Sequence, residues 1–161
     1  MSVETTLRIL EMPKDIAAPI VTFDFQVPFR LQQRTEIREL LKRMAIKEKT
    51  PFESLSYVFC SDDYLLDINQ QYLKHDFYTD IITFDLSPGK NSAIVGEIYI
   101  SIDRVRENAK NVGVPIQQEL LRVIFHGALH LCGYKDKSPT SAALMRKAED
   151  RYLTLFAKCS T

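Results

Sequence analysis

The chain has no tryptophan, only three cysteines among 161 residues, and no excess of either charge. Cys60, Cys132 and Cys159 are an odd, sparse set without CxxC spacing, which argues against a disulfide framework and predicts reduced thiols. Lysine plus arginine and aspartate plus glutamate both number 21, so no global basic excess indicates a nucleic-acid-binding protein. No apolar run approaches the roughly 18 residues of a membrane helix, and we expect no secretory signal because the first residues show no basic stretch followed by an apolar one. We therefore expect a cytoplasmic protein that does not act at a membrane.

The overall composition is that of a globular protein, with 45% hydrophobic and 26% charged residues. A chain of this length can bury roughly two-thirds of its unfolded surface, so it can fold without disulfide bonds. Together these values predict one domain spanning residues 1–161. The first residues show no clear period, and we expect residues 1–18 to form an N-terminal arm or an added edge element.

The spacing of the apolar residues predicts strand, helix, strand, helix, two strands and then three helices. The strands are expected at residues 20–27, 55–60, 79–85 and 94–101. The helices are expected at residues 35–47, from a Ser61 cap to 72, from a Ser101 or Asp103 cap to 111, at 116–132 and at 140–157. On the second helix, four apolar or aromatic side chains should face inward: Tyr64, Leu65, Ile68 and Tyr72. The order predicts an α+β fold, with a mixed four-stranded sheet packed against about five helices.

Two of the three histidines, His126 and His130, lie four residues apart on the fourth predicted helix. Four residues turn a helix by about 400°, so both imidazoles leave the same face one turn apart and could bind one metal ion. The chain then leaves the helix at Gly133, and Asp136 lies on the following turn, where its side chain can fold back over the helix end. Two histidines and one aspartate would leave a fourth tetrahedral position open, which is typical of catalytic zinc sites.

Plainer interpretations of these residues remain open at this point. A pair of histidines four apart can also pack within an amphipathic helix, and Asp136 could be a simple turn residue. The apolar neighbours Phe125 and Leu129 favour a largely buried pair, and buried imidazoles need partners that a metal ion would supply. Where metalloproteases with an HExxH motif carry a general base, this chain has Gly127, so the motif itself contains no base.

Four segments, in order, resemble signature segments of the YbeY endoribonuclease family. They are LDINQQY at 66–72, DFYTDIITF at 76–84, GEIYIS at 96–101 and HGALHLCGY at 126–134. They resemble, respectively, the family's LNxxYR, DxPTDVLSF, LGDIxIS and HGxLHLxGYDH segments. The resemblance extends over about residues 50–153, which is most of the chain.

The resemblance implies a metal-dependent endoribonuclease that cleaves single-stranded RNA, in small-subunit ribosomal RNA 3′-end maturation and ribosome quality control. It implies one Zn²⁺ ion, with His126, His130 and Asp136 as ligands, because Asp136 occupies the position of the family's third ligand, a histidine. Such an ion would lower the pKa of water and polarise a phosphoryl oxygen. The implied partners are single-stranded ribosomal RNA, the small ribosomal subunit and an associated GTPase.

The resemblance is imperfect beside the expected site, because Leu73 stands where the family has an arginine linked to activity. Lys74 or His75 could supply the missing cationic or hydrogen-bonding group. His75 and Asp80 are the catalytic candidates, and the other carboxylates considered as a base are Asp76, Glu97 and Asp136. Local positive charge makes three residues candidates for binding RNA: Lys74, Lys135 and Arg122.

Two other functions remain compatible with the sequence. One is a metallohydrolase that acts on a small phosphoester or amide, because a metal site does not name its substrate. The other is a ribosome-associated binding module with a structural metal ion, in which the change to Leu73 has removed activity. Cleavage of RNA, cleavage of small esters alone, or binding without cleavage would separate the three.

Overall fold

The computed structural model describes residues 18–160, which form an α+β fold with one mixed sheet. The strands are β1 (Ile20–Phe25), β2 (Phe52–Cys60), β3 (Ile81–Asp85) and β4 (Ile94–Ser101). The helices of this part of the chain are α1 (Arg34–Lys47), α2 (Asp62–Leu73), α3 (Ile102–Val112), α4 (Ile116–Leu131) and α5 (Pro139–Cys159). The predicted arm at residues 1–18 lies, except for residue 18, outside the described residues. None of the described helices is both long and apolar enough to cross a membrane.

The four strands are arranged in the order β1-β2-β4-β3. β1 and β4 both run parallel to β2, whereas β3 is antiparallel to β4. The connections between parallel strands pass through helices, as parallel connections require, and the consecutive strands β3 and β4 form an antiparallel hairpin. Because β3 pairs only with β4 among the described strands, its other edge is free to border a binding site.

The predicted order and type of the elements are correct, and the differences lie at their ends. β2 begins at Phe52, three residues earlier than predicted, because its start already pairs with Ile94 of β4. β3 begins at Ile81 and not at residue 79, and the carbonyl of Asp80 accepts from the Ser101 N–H. The predicted caps are present: the Ser61 and Ser101 hydroxyls accept from the N–H groups of the first turns of α2 and α3.

The sheet has a cluster of buried side chains on each face. The larger core combines sheet residues with residues of α1, α3, α4 and α5, among them Leu55, Tyr57, Ile98, Ile37, Phe125 and Tyr152. The smaller cluster lies under α2 and contains Cys60, Leu65, Ile68 and Ile82. Alternate residues of β4 serve the two faces, as the period of a strand requires.

The prediction that Tyr64 and Tyr72 point inward is wrong, although Leu65 and Ile68 are buried as expected. The exposed fractions of the two tyrosines are 40% and 69%. The cluster under α2 is small, and the tyrosine rings cover its edge, Tyr64 against Tyr99 and Tyr72 edge-on to Phe84.

A close approach between α4 and the sheet depends on Gly127. A Cβ atom at this position would lie 2.8 Å from Ile81 Cδ1 and 3.0 Å from Ile98 Cγ2. Real Cβ contacts are rarely this short, so the lack of a side chain lets α4 settle against β3 and β4. The two histidines that flank this contact are thereby held at the free edge of the sheet.

Candidate metal centre

Helix α4 presents His126 and His130 from adjacent turns, as their spacing predicts. Their ring centroids are 4.5 Å apart and the rings are nearly perpendicular, at 88°. Both side chains are partly buried, with exposed fractions of 20% and 28%. The pair therefore lies at a surface that solvent or a substrate can reach, on a helix whose buried residues, such as Ile124 and Phe125, belong to the core.

The loop after α4 folds back over the helix end and brings Asp136 to the histidines. Gly133 adopts a left-handed backbone, with φ of 101°, and the Tyr134 N–H donates to the Leu129 carbonyl at 3.1 Å. The Asp136 Oδ2 atom lies 3.3 Å from His126 Nε2 and 3.5 Å from His130 Nε2. The three predicted ligands are thus brought together, with one ligand atom of each within 4.8 Å of the others.

The hydrogen bonds of the two imidazoles fix which nitrogen is free. His126 Nδ1 donates to Glu149 Oε2 at 3.0 Å, and His130 Nδ1 donates to the Tyr134 carbonyl at 2.9 Å. A carboxylate and a carbonyl can only accept, so both Nδ1 atoms carry the proton. In the neutral rings the Nε2 lone pairs are therefore free, and both face Asp136. This pattern of outer hydrogen bonds is typical of histidines that bind metal ions.

The distances among the three donor atoms suit a small divalent ion. Bonds of about 2.0–2.1 Å to a tetrahedral ion place neighbouring ligand atoms about 3.3 Å apart. The two distances from Asp136 to the histidine nitrogens are 3.3 and 3.5 Å. Two neutral imidazoles and one carboxylate are ordinary ligands for such an ion and leave a position open for water.

Glu149 supports this centre, and the sequence analysis missed it. Its side chain is 6% exposed and lies between His126 and Arg122, whose Nη1 donates to Oε1 at 3.0 Å. Burial alone would raise the pKa of Glu149, but the hydrogen bonds from His126 and Arg122 hold it below its ordinary value. Burial likewise opposes protonation of His126, yet the bond and charge of Glu149 raise the pKa of that imidazole. A signal was available, because Glu149 falls within the apolar stripe of α5, beside Ala148.

A groove of about 500 Å³ runs along β3 and reaches two of the three predicted ligands, His130 and Asp136. Its lining includes His75, Phe77, His130, Asp136 and Lys137, and we call it the β3 groove. His75 stacks on Phe77, with the ring centroids 5.1 Å apart. The predicted catalytic candidate His75 therefore shares a cavity with two of the predicted metal ligands.

Leu73, the residue in place of the family's arginine, also lines the β3 groove. Lys74, the next residue, ends α2 in a left-handed conformation with φ of 54° and is not among the lining residues. Of the two proposed substitutes for the arginine, His75 is the one whose side chain the structure places at the groove.

The second catalytic candidate, Asp80, interacts electrostatically with residues of the centre. Its carboxyl group is partly buried, and this burial raises its pKa, while the charge of His126 acts in the opposite direction. Glu149 adds a like charge, which raises the pKa of Asp80 further. Asp80 is thus within electrostatic reach of the metal ligands, although it is not among the lining residues of the β3 groove.

The predicted RNA-binding residues occupy different environments. Lys74 and Lys135 are exposed, and Lys135 lies in the loop that carries Asp136. The Arg122 guanidinium already forms ion pairs within the protein, with Glu149 at 3.0 Å and with Asp150 at 2.8 Å. Contact of these three residues with RNA stays a prediction. Lys137, which the sequence analysis did not select, lines the β3 groove.

Comparisons with known proteins agree with the resemblance seen in the sequence. The family model described as "Endoribonuclease YbeY" matches residues 23–157. Two curated proteins of that name are similar. The protein from Flavobacterium psychrophilum is 47% identical over 137 residues, covering 85% of this chain and 96% of that protein. The protein from Cytophaga hutchinsonii is 49% identical over 136 residues, covering 84% and 94%.

A solved structure supports the fold independently. The solution structure of TM1509 from Thermotoga maritima matches this chain with a TM-score of 0.61 and 26% sequence identity. The match covers 85% of this chain and 89% of that protein.

Proposed function

The chain belongs to the family of endoribonuclease YbeY, and from this premise we propose that it is a metal-dependent enzyme that cleaves phosphodiester bonds within single-stranded ribosomal RNA. The observation that carries the proposal is the convergence of two imidazole Nε2 atoms and the Asp136 carboxylate, with His130 and Asp136 lining the β3 groove. A catalytic centre with an open ligand position beside a groove suits a polymeric substrate better than a closed structural site would.

We propose that His126, His130 and Asp136 hold one Zn²⁺ ion. When bound, the ion supplies the positive charge that makes water more acidic and polarises a phosphoryl oxygen. The protein fixes the two imidazoles through Glu149 and the Tyr134 carbonyl, so that their Nε2 atoms point together before binding.

We propose distinct roles for the residues of the β3 groove. His75 can exchange a proton with the reacting water or leaving oxygen, because the two imidazole nitrogens can donate and accept protons. Phe77, 56% exposed, offers a face on which an unstacked base can lie, which favours single-stranded over duplex RNA. Asp80 acts from beside His126 as a fixed negative charge or as the base.

Lysines in and next to the lining of the β3 groove supply positive charge. We propose that Lys74, Lys135 and Lys137 contact phosphates and that Arg122 contributes through its position beside Glu149. The proposed biological reaction is 3′-end maturation of small-subunit ribosomal RNA in the cytoplasm, together with ribosome quality control. The proposed partners are the small ribosomal subunit and an associated GTPase.

Cleavage of defined substrates tests the proposal. The purified protein is incubated with one labelled RNA sequence as a single strand and as a duplex, with the same sequence as single-stranded DNA, and with a small phosphodiester ester. We expect internal cuts in single-stranded RNA, loss of cleavage after chelation and recovery on adding Zn²⁺. His126→Ala should lose cleavage, whereas Lys110→Ala, on the exposed end of α3, should retain it.

The alternatives give different results in the same assay. Hydrolysis of the small ester with intact RNA would identify a different metallohydrolase. Stable binding to small ribosomal subunits without cleavage, combined with unfolding when metal is removed, would identify a binding module with a structural metal ion.

A further inference from the structure

A polar cluster behind the metal centre connects its loop to two distant parts of the chain. Glu48, at the C-terminal end of α1, accepts a hydrogen bond from the Tyr134 hydroxyl at 3.1 Å. It also accepts from the Tyr152 hydroxyl at 2.5 Å and from Arg151 Nη2 at 3.1 Å. Arg151 Nη2 in turn donates to the Tyr134 hydroxyl at 3.3 Å. The Glu48 carboxylate thus binds Tyr134 and Tyr152, which lie 86 and 104 positions away from it in the sequence.

The backbone holds Glu48 in a defined place. The end of α1 closes with the Lys49 N–H on the Ile46 carbonyl and the Thr50 N–H on the Ala45 carbonyl. Lys49 takes the left-handed conformation, with φ of 54°, that this kind of helix end needs. The Glu48 side chain is 14% exposed, so its bonds to Tyr134 and Tyr152 are largely shielded from water.

The placement of two predicted ligands, His130 and Asp136, depends on the position of Tyr134 in the loop after α4. Its carbonyl accepts the Nδ1 proton of His130, which leaves the opposite nitrogen free for a metal ion. Asp136 follows two residues later on the same segment. Inside the loop, the Tyr134 N–H to Leu129 carbonyl bond is the backbone restraint on this residue, and its side-chain hydroxyl is held by Glu48 and Arg151.

We infer that Glu48 and the Tyr134 hydroxyl are positioning residues for the metal centre, and that this pair sets the affinity for the metal ion from outside its ligand shell. The inference rests on the proposed function in one respect only, that the centre binds Zn²⁺. Losing the pair would let the 132–136 loop move, so both the His130 acceptor and the Asp136 ligand would be less well placed. Groups that orient metal ligands change affinity about 10- to 100-fold, and Glu48 acts one step further out.

Two tyrosines bonded to the same carboxylate provide a matched pair of variants. Tyr134→Phe removes the hydroxyl that holds the loop and keeps the backbone carbonyl. Tyr152→Phe removes an equivalent hydroxyl bond to Glu48 from α5, which carries no metal ligand. Zinc affinity is measured by competition with a chromophoric chelator, and the free energy of unfolding of each metal-free variant is measured alongside.

We expect Tyr134→Phe to weaken zinc binding about 3- to 10-fold, and Tyr152→Phe to change it less than about 2-fold. Glu48→Ala removes the acceptor of the Tyr134 hydroxyl and should weaken zinc binding at least as much as Tyr134→Phe does. The double variant should be no weaker than the weaker single variant, because both changes break one interaction. Amide hydrogen exchange at residues 133–136 should accelerate in Tyr134→Phe and not in Tyr152→Phe.

Equal zinc affinities in Tyr134→Phe and Tyr152→Phe would overturn the inference and leave the cluster with a purely structural role. Wild-type protein that takes up no zinc would overturn it together with the metal centre. Because the readout is zinc affinity, protein that binds zinc as predicted but leaves RNA uncut would refute the proposed function and leave this inference standing.

Discussion

Asp136 is the residue at which this chain differs most clearly from the signature it resembles. A carboxylate replaces a neutral imidazole there, so a divalent ion together with its three protein ligands would have a net charge of one unit less. The carboxylate lies 3.3 and 3.5 Å from the two histidine nitrogens, which suits a ligand as well as an ion pair. Substitution can distinguish the two roles.

Replacing Asp136 should therefore show whether it binds the metal ion. We expect about one equivalent of zinc in the wild-type protein by elemental mass spectrometry, and at least a roughly 100-fold loss of zinc affinity in Asp136→Ala. Asp136→His should retain zinc, with an affinity within about tenfold of wild type, because imidazole is an equally suitable ligand.

Asp150→Ala is the matched control for this substitution. Asp150 also follows the histidine motif but is exposed and pairs with Arg122 at 2.8 Å. It should keep one equivalent of zinc. Full zinc occupancy in Asp136→Ala would show that Asp136 is only a turn residue and that the two histidines suffice.

Glu149 is expected to matter for folding as well as for metal binding. It is a buried carboxylate whose two oxygens accept from His126 and Arg122, so its removal leaves the partly buried His126 Nδ1–H without its acceptor and leaves Arg122 with Asp150. We expect Glu149→Ala to lower the free energy of unfolding of the metal-free protein by about 3 kcal/mol, measured by urea denaturation.

An isosteric variant separates charge from shape at this position. Glu149→Gln keeps one acceptor for His126 but loses the negative charge, and should lower the stability by a smaller amount, about 1–2 kcal/mol. If Glu149→Ala proved as stable as wild type, the His126–Glu149–Arg122 arrangement could not be a significant source of stability.

At the scale of whole elements, the contact between α4 and the sheet determines where the metal centre lies. At Gly127 the helix lies so close to Ile81 of β3 and Ile98 of β4 that even a single added methyl group would contact both side chains too closely. We expect Gly127→Val to lower the free energy of unfolding by about 1–3 kcal/mol, because the added side chain must displace the helix or these isoleucines. Zinc affinity should fall as well, since His126 and His130 move with α4.

A substitution at another helix glycine checks that explanation. Gly113 ends α3 with φ of 81° and has no atom within 4 Å of the position its Cβ would take. Gly113→Ala should cost stability through backbone strain alone and leave zinc affinity unchanged. Equal losses of zinc affinity in the two variants would mean that general destabilisation, and not the position of α4, controls the centre.

The elements themselves were largely predictable, because their signals are local. Ser61 and Ser101 cap their helices as predicted, and the chain leaves α4 at Gly133, which takes a left-handed conformation. The spacing of His126 and His130 likewise needs only the helix period. Strand order and the exact start of β2 depend on pairing between distant segments, which a single sequence does not display.

The residues that support the centre were missed for the same reason. Glu149 and Glu48 act on α4 and its loop from 23 and 86 residues away in sequence. Arg122 was selected for its charge, and the structure instead pairs it with two carboxylates. Composition shows that charges are present, but only the folded arrangement shows which of them remain available to a ligand.

The whole molecule carries equal numbers of basic and acidic residues, which limits how RNA can be bound. Long-range attraction of a polyanion is weak without net positive charge, so binding must rely on a few contacts and on base stacking. Lys137 lines the β3 groove together with the predicted ligands His130 and Asp136. Lys74 and Lys135 are exposed and are sequence neighbours of residues that line the groove. About three phosphate contacts on single-stranded RNA predict a slope of about −2 for log K against log salt concentration.

Substituting Lys137 tests whether RNA is bound through a few contacts in the β3 groove. We expect Lys137→Ala to weaken binding of single-stranded RNA about 3- to 10-fold at moderate salt and to make the salt slope about 0.7 less negative, since one phosphate contact is lost. Fluorescence anisotropy over a salt series, with metal removed so that the RNA stays intact, measures both quantities. Lys110→Ala removes the same charge from α3, outside the lining of the β3 groove, and should change neither by much. If both variants lowered affinity equally, net charge and not the β3 groove would determine binding, and the path of RNA past the metal centre would have to be sought elsewhere on the surface.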